Sequence, residues 1–262
     1  MNNPYAHALE FLVDAGVTIA SMDAPNNRFE MPELATPEPT APSIQSAPQK
    51  QQPVVEVKAH KEIITHAEEV ASKASTLEEL KQTITDFDGL SLKRTATNMV
   101  FADGNPQAKI MVIGDAPAAD EDRQGTPFVG THGQLLDKIF DCIGLSRSAD
   151  DAGQSIYLSN ILNWRPPGNR TPTDEEIDIA RPFIKRHVEL INPDIIVFCG
   201  GMPAQTLLNS KESVSRLRNR IHDYNDTTKA IVTYHPSSLL NTPLQKKKVW
   251  DDMLSLKGLI DG

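Results

Sequence analysis

From residue 108 onward the chain alternates short apolar runs with longer amphipathic ones, and this constrains its fold more than any other feature. AKIMVIG (108–114), SIYLSNIL (155–162), DIIVFCG (194–200) and KAIVTYHP (229–236) are apolar, rich in β-branched residues and bounded by turn formers, as buried strands are. Between and after them, residues 133–145, 173–191, 202–209 and 243–258 repeat their apolar positions at helical spacing. Thr173 supplies an N-cap for the second of these, with acids in the first turn behind it. Strands that alternate with helices pair in parallel and need cover on both faces. The expected fold is α/β: a three-layer αβα sandwich around a central, mostly parallel sheet.

The alternating region forms the bulk of a domain expected over 85–262. Upstream, residues 1–22 read as a short amphipathic helix, with Ala8, Leu9, Phe11, Leu12 and Val17 on one stripe. It is a candidate tether to a protein partner, or an extension without a role. Residues 23–57 are rich in Pro, Gln, Ser and Thr and bury too little apolar surface to offset chain entropy, so a disordered linker is expected. Helical patterning returns over 58–84, where Thr76 and Glu79 are spaced as a capping box.

The net charge of −9 argues at first against a polyanionic partner. The basic residues are clustered, however, at Arg216, Arg218 and Arg220 and again at Lys246, Lys247 and Lys248. Local patches steer a polyanion more than the total does, so DNA binding is permitted without being indicated. Cys142 and Cys199 both lie in apolar stretches and read as buried, reduced thiols. Two cysteines build neither a disulfide framework nor a four-thiolate site. No apolar run approaches the roughly 20 residues that span a bilayer, and the first residues do not resemble a secretory signal. A cytoplasmic monomer is expected.

Three strand ends carry unusual polar loops: GDAPAADEDRQGTPFVG (114–130), SNILNWRPPGNR (159–170) and HPSSLL (235–240). In open α/β sheets, ligands bind beyond the carboxyl ends of the strands. In order and spacing these loops resemble the motifs of the family 4 uracil-DNA glycosylases, and the resemblance runs from about Leu90 to Leu259. It implies an enzyme of base-excision repair that hydrolyses the N-glycosidic bond of uracil in DNA.

Removing a base from DNA requires flipping its nucleotide into a pocket that stacks it, reads its edge and stabilises the departing charge. The resemblance implies a uracil pocket of Asp115, Ala116, Glu121, Phe128, Asn160 and His235. Phe128 stacks on the ring. Asn160, with one acceptor and two donors, faces N3–H and O4 of uracil, a pattern that cytosine reverses. His235 donates to O2 as charge grows there. Asp115, where the family has Glu, positions water or stabilises the sugar cation, and is grouped with Asn160 and His235 as catalytic. Ala118 stands where the family has glycine. By residue type alone, Phe128 can equally be core, Asn160 a strand cap, His235 a turn residue, and Glu121 with Asp122 a solvated acidic loop. For DNA the resemblance implies Leu239 as an apolar wedge, and Ser237, Arg165, Arg170 and Arg218 at phosphates, with Arg216, Arg220 and the 246–248 lysines as further candidates.

The family also binds an iron–sulfur cluster through four cysteines. The matching positions here are Phe87, Leu90, Trp164 and Ala180, none of them a thiolate. The expectation is therefore no metal and no cofactor, with these four side chains packed as an apolar plug. Two readings compete with the leading one. One is a nucleic-acid-binding homologue that has lost the reaction. The other is a glycosylase for another deaminated base, such as hypoxanthine or xanthine.

Overall fold

The computed structural model describes residues 54–261. The expected helix over 1–22 and the linker up to residue 53 lie outside the described residues. Two helices open the described chain, α1 (Val54–Lys73) and α2 (Leu77–Asp86). Residues 54–57 thus belong to α1 and not to a linker. Thr76 caps α2 by accepting the Glu79 N–H, and Glu79 in turn accepts the N–H of Ser75. Both helices pack on α5 (Asp174–Ile191), so they belong to the same compact unit as the sheet, which runs Gln51–Gly262.

The sheet has six strands: β1 (Ala102–Gly104), β2 (Ile110–Gly114), β3 (Ile156–Asn160), β4 (Ile195–Cys199), β5 (His222–Asp223) and β6 (Lys229–Thr233). Their order is β1-β3-β2-β4-β6-β5. The four central strands are parallel, and the short edge strands β1 and β5 pair antiparallel. The mostly parallel sheet is therefore as expected, with two antiparallel edges too short to carry a sequence pattern.

Strand residues alternate between two cores, as the pleat requires. Met111, Ile113, Ile196, Phe198 and Val232 face a core shared with α1, α2 and α5. Ile110, Val112, Ile195, Val197 and Ile231 face the other. That second core is closed by α4 (Gly130–Asp141) and α9 (Lys246–Asp261). Thr173 caps α5 and makes a reciprocal pair with Glu176, as the sequence indicates.

Several elements differ from expectation. The helix expected over 133–145 starts three residues earlier and ends at Asp141, before Gly144 with its φ of 79°. The last helix starts at Lys246, because Pro243–Gln245 forms a separate 3-10 turn. Two short helices lie inside the motif loops themselves, α3 (Ala119–Gln124) and α8 (Pro236–Asn241); after β4 the helix expected over 202–209 runs as α6 (Gly201–Leu207), and an unexpected short one, α7 (Val214–Leu217), follows it. Cys199 is buried, but Cys142 is exposed, because it sits at the C-cap of α4 beyond the last turn that the core covers. Among the described residues, no helix is long and apolar enough to cross a membrane.

Phe87, Leu90, Trp164 and Ala180 are all buried and all belong to the core under α1, α2 and α5. The Phe87 ring meets Phe183 edge-on at 5.0 Å and stacks on His66 at 5.7 Å. Truncating a buried Phe to Ala costs about 3–5 kcal/mol. Phe87→Ala is expected to lose that much in urea unfolding followed by circular dichroism. A loss below about 1 kcal/mol would mean that Phe87 does not tie the opening helices to the domain.

Candidate functional site

Helices leave the adjacent strands β2 and β3 toward opposite faces: α4 covers one core and α5 the other. A crevice opens between such strands at their carboxyl ends. It holds a cavity of about 250 Å³ lined by Asp115, Ala116, Glu121, Phe128, Arg170, His235 and Ser237, among others. The three motif loops thus converge on one cavity.

The strand ends are tied together beyond the sheet. The N–H of Ile161 donates to Gly114 O (3.0 Å), and that of Leu162 to Asp115 O (3.2 Å). These bonds bring Asn160, the last residue of β3, alongside Gly114, the last of β2. Gly114 is glycine because the site leaves no room for anything else. A methyl group there would lie 2.4 Å from Asn160 Oδ1 and 2.6 Å from Phe128 Cζ. Asn160 is 2% exposed; its Nδ2 makes no hydrogen bond of good geometry, although the amide lies close enough to Glu121 to stabilise that carboxylate. An unpaired buried donor costs about 1–3 kcal/mol.

Phe128 is also 2% exposed and has a φ of 52°, in the left-handed region. Holding a bulky residue there costs about 1–3 kcal/mol and persists only where the surroundings over-determine it. Glu121 supplies part of that restraint. Its carboxylate accepts the N–H of Phe128 and that of Ala118. Burial pushes the Glu121 carboxyl up, opposed by those two N–H groups, by the Asn160 amide and by His132. Asp122 is buried as well and accepts the N–H groups of Thr97 and Asn98. The pair is therefore not a solvated acidic loop: one acid holds Phe128, the other the segment before β1.

His235 caps α8, and its ring lies 5.8 Å from that of Phe128. Its Nδ1 accepts the N–H of Ser237 (3.2 Å) and lies 2.7 Å from the Ser237 hydroxyl. A backbone N–H can only donate, so Nδ1 carries no proton. Burial, then the neighbouring His132, pushes the imidazole down to about 4, so the ring is neutral near pH 7. The neutral tautomer thus places its proton on Nε2, a donor with no competing charge.

Asp115 follows β2 and points at Gly200, where a methyl group would lie 2.6 Å from Oδ1. Gly200 has a φ of 121°, a second position that glycine makes possible. The Asp115 Oδ1 is buried without a partner, and burial pushes the carboxyl up to about 7.

Two expected DNA contacts are corrected. Arg218 is buried and donates to both oxygens of Asp252 (2.8 and 2.7 Å), to which Thr233 also donates. A guanidinium satisfied in this way ties the end of α7 to α9, and is not free for a phosphate. Leu239 is fully buried in the core beneath α8, so it cannot act as a protruding wedge; its neighbour Leu240 is exposed. Arg170 lines the cavity but forms a bidentate pair with Glu176 (2.6 and 2.8 Å), and Arg165 donates to Asn169 (2.7 Å). Ser237 is engaged with His235. Arg216, Arg220 and the 246–248 lysines are exposed, Arg220 beside Glu212. His132 and Met202 also line the cavity. Sequence reasoning missed both, since neither lies in a recognisable motif position.

No group here fits an iron–sulfur cluster, because Phe87, Leu90, Trp164 and Ala180 offer no donor atom in their side chains that binds iron. Among the described residues, no three His, Cys, Asp or Glu side chains are grouped to hold a metal ion.

Residues 101–254 match the sequence model of the uracil DNA glycosylase superfamily. The chain is 33% identical over 184 residues to a type-4 uracil-DNA glycosylase of Archaeoglobus fulgidus, covering 68% of this chain and 89% of that protein. It is 37% identical over 145 residues to one of Thermotoga maritima, covering 55% and 72%. Against one of Saccharolobus solfataricus it is 35% identical over 168 residues, covering 61% and 75%.

The Asp115 carboxyl has a consequence for stability. An unfolded aspartate titrates near about 3.9, and this one near 7 when folded. Between those values the unfolded chain is ionised and the folded one is not, so stability falls as pH rises through the window and is level above it. Asp115→Asn is expected to raise Tm at about pH 8 and to change it little near pH 4. Equal effects at both pH values in thermal denaturation would show that the carboxylate is not desolvated.

Proposed function

Because the chain belongs to the uracil DNA glycosylase superfamily, we propose that it excises uracil from DNA by hydrolysing the N-glycosidic bond and leaving an abasic site. The observation that carries this reading is Asn160 Nδ2, which makes no hydrogen bond of good geometry and lies beside the Phe128 ring, while that ring and the neutral His235 line one cavity. Uracil meets all three. Its face stacks on Phe128, O4 accepts from Asn160 Nδ2, and N3–H donates to Asn160 Oδ1. Cytosine would turn an amino group toward Nδ2 and leave two donors opposed, a mismatch that costs discrimination of several orders of magnitude in sites of this kind.

As the bond from N1 to the sugar breaks, its electron pair moves onto the base and builds negative charge at O2. The Nε2–H of His235 is a preorganised donor for that charge. The sugar becomes cationic and is captured by water, whose oxygen bonds C1′. Asp115, once ionised, stabilises the cation and takes the water proton. It sits deep enough that its carboxylate is poorly hydrated and reacts strongly to nearby positive charge. Ala116 lines the same cavity.

DNA then lies across the loops around the crevice. Leu240, at the exposed side of α8, takes the wedge role in place of Leu239, and the exposed Arg216, Arg220 and Lys246–Lys248 meet phosphates. Ser237 orients His235, and Arg165 and Arg170 shape the loop facing it. The expected species is a monomer that acts on DNA in the cytoplasm, with residues 1–22 as a tether to a repair or replication protein.

The test uses a labelled oligonucleotide with a single uracil, followed by alkaline cleavage of abasic sites, with thymine in the same position as control. Cleavage at uracil alone is expected. His235→Ala removes one preorganised donor and is expected to lower the rate about 100- to 1,000-fold, with Asn160→Ala also strongly impaired. Absence of cleavage by folded protein in enzyme excess would discard uracil and favour the non-catalytic homologue, while cleavage only at hypoxanthine or xanthine would reassign the base. Gly114→Ala displaces both Phe128 and Asn160 and is expected to lose about 100-fold in kcat/KM. Unaltered kinetics in that variant would place the base elsewhere.

A further inference from the structure

Arg147 lies outside every motif, in the turn after α4, yet its guanidinium reaches the pocket wall from behind. Its side chain is 16% exposed. Nε donates to Asp137 Oδ1 (2.8 Å), and Nη1 to Asp103 Oδ2 (2.8 Å). Those two carboxylates, from α4 and β1, more than offset its charge. Nη1 also donates to Pro127 O (3.2 Å), and Nη2, which lies 2.7 Å from Asp137 Oδ1, donates to Phe128 O (2.9 Å). Ion pairing alone does not require these two main-chain bonds.

These carbonyls belong to the residue in the left-handed region and the one before it. The Phe128 N–H is held by Glu121 and its C=O by Arg147, so both polar groups of the strained residue are fixed from opposite sides. Gly133 permits the arrangement, since a methyl group there would lie 1.7 Å from Phe128 O. With N–H and C=O both pinned, the remaining freedom of Phe128 is in its side chain, and Gly114 and His235 close that off.

We propose that Arg147 is a positioning residue for base recognition: through the backbone of Phe128 it sets the plane of the ring on which the flipped base stacks. The proposal rests on the uracil reading of the pocket. A fork of five donors suits this task, because one planar group spans two carbonyls and two carboxylates. Lysine keeps the charge between Asp103 and Asp137 but cannot reach both carbonyls.

The test is a double-mutant cycle on uracil excision, with Tm recorded for each variant. Arg147→Lys is expected to lower kcat/KM at least tenfold in the native background and less than twofold in a Phe128→Ala background. Arg147→Gln serves the same cycle if the lysine variant does not fold. Asp103→Asn, which weakens the ion pair and spares the carbonyl bonds, is expected to keep kcat/KM within twofold of the native value. Equal losses from Arg147→Lys in both backgrounds would make Arg147 a general structural pin and overturn the proposal, as would an undiminished kcat/KM in the native background. If the native chain excises no uracil, the functional reading fails by itself. The positioning claim is then read from the His235 ring-proton shifts, which feel the Phe128 ring current at 5.8 Å. A shift change in Arg147→Lys supports it, and unmoved resonances overturn it.

Discussion

The contact between the Gly114 backbone, the Asn160 amide and the Phe128 ring is the constraint around which the site is arranged. Two parallel strands must end level, so that the last residue of one can touch the last of the other. The loop after β2 must then fold back through α3 to lay an aromatic ring on that junction. The return is only possible with Phe128 in the left-handed region, and Glu121, Arg147 and Gly133 all serve that one backbone conformation. The sheet gives a rigid edge, and the strain is localised to a single residue that the edge and its helices hold in place.

Several polar groups around the crevice are buried without being fully satisfied. Asn160 Nδ2 and Asp115 Oδ1 are buried and make no hydrogen bond of good geometry, and His235 is kept neutral by burial. Each has a cost in the free chain that a bound base or a cationic sugar would offset. Other buried carboxylates are fully used: Asp122, Glu176 and Asp252 all bind N–H donors or guanidinium groups.

The parallel sheet, the long helices and the loops that form the crevice were legible in the sequence, because buried strands and amphipathic helices impose periods of their own. What was not legible depended on direction and partner. Leu239 and Leu240 are adjacent leucines, and only the rotation of α8 decides that the first is buried and the second exposed. Arg218 lies between two exposed arginines in the chain, but Asp252, far away in sequence, claims it. Cys142 sits in an apolar stretch but falls one step beyond the covered face of α4. Short elements such as α3, β1 and β5 have too few residues for any periodicity, and the strain at Phe128 follows from a return path that no local pattern records.

The walls around the cavity differ in what they would tolerate. Gly114, Gly133 and Gly200 are fixed by clearance: each lies so close to another group that a single added carbon is excluded. Ala116, Ala118, His132 and Met202 line the cavity itself. A search for variants that accept bulkier damaged bases would therefore gain most by randomising those four positions, while the three glycines are left alone as the frame that keeps any new pocket assembled.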